Sequence, residues 1–138
     1  MSKKIDQSKQ LEFWLDEHDI LTIRVANENA KVIEVNMEEA LYSLGVQKRI
    51  SEEKGKKILV LSNLTSMTKI SKEVRDFAKT PAGKEVDNYV LAYAFVASNL
   101  WSRMIGNMIM SLFKHGYPMK IFPTEEKAIE WLLTQKEG

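Results

Sequence analysis

Cysteine is absent from this chain of 138 residues. That excludes disulfides, thiolate nucleophiles and cysteine-ligated zinc, and it fits a reducing compartment. Net charge is nearly absent as well. The 20 Lys and Arg stand against 19 Asp and Glu, so no long-range field draws the chain to nucleic acid or to anionic lipid. No apolar run approaches the roughly 20 residues of a membrane-spanning helix. The opening MSKKIDQSKQ lacks the apolar centre of an export signal. It reads as a flexible lead-in over residues 1–10, ahead of a single domain over 11–138 in a cytoplasmic protein. At this length a domain buries a core without covalent staples.

Catalytic constellations are equally scarce. The two histidines are isolated: His18 falls in a hairpin turn and His115 just past a helix end, where a hydrogen-bonding or cationic group is favourable. No glycine-rich phosphate loop occurs, since Gly55-Lys56-Lys57 precedes a strand instead of following one. The adjacent carboxylates at 38–39, 52–53 and 125–126 suit solvation and the positive end of a helix more than acid–base chemistry. The basic run Lys54–Lys57 is short and has no interleaved aromatics. The expectation is a chain without enzymatic activity, cofactor, metal or nucleic-acid partner.

What is present is a well-patterned α/β domain. LEFWLDEHDILTIRVA holds two alternating runs, Leu11, Phe13, Leu15 and Leu21, Ile23, Val25, around Glu17-His18-Asp19, which predicts a hairpin. KVIEV adds a short strand. Asn36 and Glu39 form a capping-box pattern that opens a helix, and Lys54-Gly55 closes it. On that helix Tyr42, Val46 and Ile50 lie opposite Met37, Leu41 and Leu44, which calls for a bend near Gly45 or a partner. KKILVLSNL is a continuous apolar run of the kind buried in parallel sheets. Ser71 caps a helix beginning KEVRDFA, broken at Thr80-Pro81. VLAYAFVA and YPMKIF are further strands, and Thr124 caps the last helix with Glu125 and Glu126 in its first turn. From residue 58 the order is strand, helix, strand, helix, strand, helix. The fold class is therefore α/β, with a mixed sheet, an N-terminal antiparallel hairpin, right-handed βαβ crossovers and about four helices.

The segment NLWSRMIGNMIMSLFK, residues 99–114, puts nine large apolar side chains on one short helix. Arg103, Asn107 and Lys114 make a narrow polar stripe. The apolar arc opposite is wider than the ~100° that packing on one sheet face requires. Trp101, Met104, Met108 and Leu112 are expected to face inward, with Ile109 and Phe113 as surplus apolar surface for an interface or an apolar pocket. The methionines add adaptable surface.

Three segments, ILVLSNLTSMTKISKEVRDFA, VLAYAFVASNLWSRMIGNMIMSLFK and YPMKIFPTEEKAIEWL, resemble the SpoIIAA-like branch of the STAS family, which grades into the SEC14-like lipid-binding fold. The resemblance implies a binding module. In several STAS proteins a Ser or Thr at the start of the helix after a central strand is phosphorylated to switch partners, and Ser71 falls nearest that place. Here the stretch reads Ile70-Ser71-Lys72-Glu73, without the acid and glycine usual in the family, and an N-cap role accounts for Ser71. Two functions from different classes follow. One is a regulatory domain acting through a protein partner, with a homodimer among the arrangements. The other is a carrier or sensor of a small apolar ligand, a fatty acid or lipid, held between helix 99–114 and the sheet.

Overall fold

The computed structural model describes residues 2–26, 34–67, 69–112 and 116–136. The chain runs through β1 (Lys3–Gln7), β2 (Leu11–Leu15), β3 (Ile20–Val25), β4 (Glu34–Val35), α1 (Met37–Lys54), β5 (Ile58–Asn63) and β6 (Lys69–Ile70). It continues through α2 (Lys72–Ala78), a 3-10 helix (Gly83–Asn88), β7 (Val90–Val96), α3 (Leu100–Leu112), β8 (Met119–Phe122) and α4 (Glu125–Gln135). Six strands form one mixed sheet in the order β1-β2-β3-β5-β7-β8, and β4 pairs with β6 apart from it. The first three strands are antiparallel, and β3, β5, β7 and β8 are parallel.

The hairpin between β2 and β3 pairs Phe13 with Ile23 and Leu11 with Val25, so the alternating apolar positions of both strands meet on one face. Its turn is built on aspartates in place of Asn-Gly. Asp16 Oδ1 accepts from the backbone N–H of His18 at 2.8 Å and of Ile20 at 2.9 Å. Asp19 takes a left-handed φ of 61°, a conformation Asp tolerates better than most side chains. Burial raises the Asp19 pKa, but the ammonium groups of Lys54 and Lys56, at 3.1 and 3.3 Å, together outweigh it and hold the group below its ordinary value.

The strands of the main sheet join in chain order and in one direction. Parallel crossovers almost always have one hand, so three successive crossovers in the same direction leave their helices on the same face. Val46 and Ile50 of α1, Val74 of α2 and Ile105 of α3 accordingly share one core with Phe13, Leu21, Ile23 and Val60. α4 follows the last strand and is no crossover. It covers the other face, where Ala128 and Leu132 meet Ile20, Leu59, Leu61, Ala92 and Ala94. A strand with helices on both sides must be apolar on both, which is why residues 58–61 are a continuous apolar run.

Three expectations need correction, and one element, the 3-10 helix, was not expected. The lead-in is not loose throughout, because Lys3–Gln7 forms strand β1 and pairs with β2. Its exposed, Lys-rich character is that of an edge strand, whose outer side faces water. The segment after Thr80-Pro81 winds into the 3-10 helix. No bend at Gly45 is required in α1: Val46 and Ile50 face the sheet, Ala40 and Leu44 flank them, and Leu41 points outward at 49 % exposure. The capping box is only half formed. Asn36 Oδ1 accepts from the Glu39 N–H at 2.9 Å, but the Glu39 carboxylate turns away to Ser8 Oγ and the Gln10 N–H, at 2.5 and 2.9 Å. It thereby ties β1 and β2 to the start of α1. Of the short strand expected over residues 31–35, residues 31–33 lie outside the described residues.

The inward face of α3 is also not the expected one. Ser102, Ile105 and Gly106 are buried, whereas Trp101 is 67 % and Met104 53 % exposed. The helix is turned by roughly a quarter turn relative to the arrangement in which the largest side chains go inside. The cause is close approach: a Cβ at Gly106 would stand 3.0 Å from Ile121 Cδ1 and 3.6 Å from Leu64 Cδ1. Small residues let the helix settle on β8, and the bulky ones are displaced outward.

Candidate functional site

Between the sheet and its three crossover helices lies a cavity of about 140 Å3. Leu11, Ile23 and Phe95 form its floor, Ala40 and Leu44 one wall, and Val74, Ile109 and Leu112 others. α1 contributes a polar row to its lining, through Glu39, Ser43 and Gln47. Glu39, Ser43, Gln47 and Ser51 follow one another at four-residue spacing, and Glu39, Gln47 and Ser51 are buried. Residues at i and i+4 share a helix face, so a row of this kind stands inside only where its polar atoms find partners.

Most do. Glu39 is satisfied by Ser8 and Gln10, and Ser51 Oγ donates to the Lys56 carbonyl at 2.7 Å. Gln47, only 2 % exposed, is the exception. Its Nε2 donates to Ser43 Oγ at 3.1 Å, and its Oε1 has no partner. A hydroxyl can donate or accept, so whichever end of the amide faces Ser43, the other is left unpaired. Arg75 of α2 also lines the cavity, with a buried Nε that has no hydrogen-bond partner. Across from them Ser62 Oγ and the Tyr93 hydroxyl share a 2.8 Å hydrogen bond. Burial, eased by that bond, pushes the Tyr93 phenol up to about 12. Tyr117, stacked on Tyr93 with ring centroids 6.5 Å apart, is raised further, first by burial and then by Tyr93 and Asp87. Both phenols therefore stay neutral in ordinary buffers.

The residues singled out from sequence scatter around this cavity. Ile109 and Leu112 line it; Met108 is half-buried and does not. Trp101 and Met104 lie on the exposed side of α3 beside Leu100, and Phe113 is outside the described residues. Ser71 stands at the start of α2, where its Oγ accepts from the Val74 N–H at 3.2 Å. Its flanking cations have acidic neighbours, Lys69 with Glu34 at 3.8 Å and Lys72 with Asp76 at 3.1 Å. Ser71→Ala should lower stability by about 1 kcal/mol, read as a lower urea midpoint with an unchanged m-value. Gln47 and Arg75 were missed from sequence. The signal that could have found Gln47 is the four-residue polar row itself, which crosses the face α1 needs for packing.

A second, polar crevice opens at the carboxyl ends of β5 and β7, where α/β folds often bind ligands. Here its groups saturate one another. Arg24 Nε and Nη2 donate to the two oxygens of Glu125 at 3.0 and 2.7 Å, and Asn63 Nδ2 donates to Glu125 at 2.9 Å. That arrangement clamps β3, β5 and α4 together. Among the described residues no group of three or more His, Asp or Glu could hold a metal, and no helix is long and apolar enough to cross a membrane.

A six-stranded sheet of this order, with three helices on one face and one on the other, is the SpoIIAA-like α/β fold. A crystal structure from Shewanella loihica PV-4, of an uncharacterized protein of the DUF3478 family with a SpoIIAA-like fold, superposes with a TM-score of 0.61 at 12 % identity. The match covers 93 % of this chain and 98 % of that one. Within that class the chain belongs to the DUF7793 family, a domain of unknown function, whose family model matches residues 13–136. No curated protein matches the sequence.

Proposed function

We propose that this chain is a cytoplasmic, non-enzymatic binding module that carries or senses a small apolar ligand in the cavity beneath α1, α2 and α3. The observation that carries this reading is the cavity itself, walled by Leu11, Leu44, Phe95, Ile109 and Leu112. Its volume is close to that of engineered apolar cavities of about 150 Å3 that take up benzene. Toluene is the direct probe. Saturating toluene should raise the melting temperature, because a ligand held only by the folded state stabilises by about 2.7 kcal/mol at a hundredfold excess over Kd. Methyl resonances of Leu44 and Ile109 should move with it. Ala40→Met, which puts a flexible side chain into the same space, should abolish both responses while the protein stays folded. Unchanged melting temperature and unchanged methyl resonances in the wild type would refute the reading.

One observation favours a second reading, a regulatory module acting through a protein partner. Leu100 and Trp101 are each about two-thirds exposed and Met104 about half, on the helix whose inner face carries Ile109 and Leu112. A second copy of the chain is the partner that the purified protein can test. Sedimentation should show self-association at tens of micromolar that the double substitution Trp101→Ser, Met104→Ser removes. A wild-type monomer at every concentration would sink the homodimer.

A further inference from the structure

We infer that the ligand of this cavity is a small organic acid, a compact apolar body with a carboxylate for Arg75 and a hydroxyl for Gln47. The inference rests on the cavity being a ligand site and adds the chemistry that would select the ligand. An amide 98 % buried with one end unpaired, in a wall otherwise satisfied by hydrogen bonds, is a group that folding alone leaves costly. Arg75 presents the matching anomaly on the facing helix. Its buried Nε–H has no acceptor, and its side chain forms no ion pair or hydrogen bond among the described residues. A guanidinium cannot give up its proton to relieve this.

The two groups ask for different things. Arg75 offers N–H donors and positive charge, which a planar carboxylate answers best. Gln47 Oε1 asks for a donor, which a hydroxyl or N–H on the same ligand supplies. The apolar residues between leave room for a body about the size of a benzene ring, by comparison with cavities of ~150 Å3. A long acyl chain exceeds that space. The Glu39 carboxylate also borders the cavity; its Oε1 is held by Ser8 and Gln10, and it forms no ion pair with Arg75.

A series of small probes tests this without altering the protein. The ortho, meta and para hydroxybenzoates, the matching hydroxybenzamides, benzoate and toluene are titrated by calorimetry and by NMR. At least one hydroxybenzoate should bind ten times more tightly, or better, than its uncharged benzamide and severalfold more tightly than benzoate. The Arg75 Nε–H resonance should shift on binding of the acid and not of toluene. Arg75→Met should erase the preference for acid over amide, and Gln47→Met the preference for hydroxybenzoate over benzoate, with toluene still bound by both. If toluene binds the wild type but no acid is preferred and the Arg75 resonance stays still, this inference is wrong and the apolar-ligand reading stands. If neither toluene nor any acid binds, both fail. An acid preference that survives Arg75→Met also overturns the assignment.

Discussion

Leu132→Ala should destabilise the protein by about 3–5 kcal/mol, the range for deleting a fully buried leucine where the surroundings cannot collapse. α4 is the only described helix on its face of the sheet. Leu132 is fully buried there against Leu59, Leu61 and Ala94, and Ala128 beside it is too small to fill a gap. β5 and β7 cannot move to close the cavity, because each is paired on both edges and packed on its opposite face by the other three helices. The same experiment on α3 should give the contrary result. Trp101→Ser and Met104→Ser, at exposed positions, should change stability by no more than about 0.5 kcal/mol. Urea titrations of the three variants check both halves. A loss at Trp101 approaching that at Leu132 would mean that α3 is not oriented as described.

Glu125→Ala should cost about 2–3 kcal/mol, the range for losing charge-assisted hydrogen bonds in a partly screened site. Glu125 receives two bonds from Arg24 and one from Asn63, at 3.0, 2.7 and 2.9 Å. The Arg24 hydrogen bonds first, opposed by burial and helped by Asn63, hold its carboxyl below the ordinary 4.5. A carboxyl whose pKa is depressed on folding contributes stability that is full above its unfolded value and is lost as pH falls through the folded one. The stability gap between wild type and Glu125→Gln should therefore be widest near neutral pH and shrink on acidification below about 4.5. A gap independent of pH would show that the clamp acts through packing alone. Asp6 shifts in the same direction, chiefly through the Tyr42 hydroxyl, so Asp6→Asn serves as the control for acid lability elsewhere.

The strands and helices of this fold are written locally. Alternation in residues 11–25, the uninterrupted apolar run at 58–61 and the caps at Asn36, Ser71 and Thr124 each express a preference that a few neighbouring residues enforce, and each element formed as read. β1 was not legible because an edge strand with one wet side needs no apolar signature; Lys3–Gln7 is held by β2 and by the tie from Glu39. The cavity was half legible. Ile109 and Leu112 are conspicuous on any helical projection, while Gln47 and Arg75 are ordinary surface residue types whose burial comes from the neighbours that cover them.

The amino-acid sequence by itself determined the order of the main elements from β2 to α4, the parallel sheet with the β2–β3 hairpin ahead of it, and the burial of β5, because periodicity and capping act within one turn or one strand. Only the tertiary structure decided which side of α3 faces the sheet. That choice depended on how closely Ser102 and Gly106 let the helix approach Ile121 and Leu64, a distance set by residues far apart in the chain. The same holds for the cavity. A void is a mismatch between facing surfaces, here the polar row of α1 against the aromatic and aliphatic floor of the sheet, and no single segment contains it.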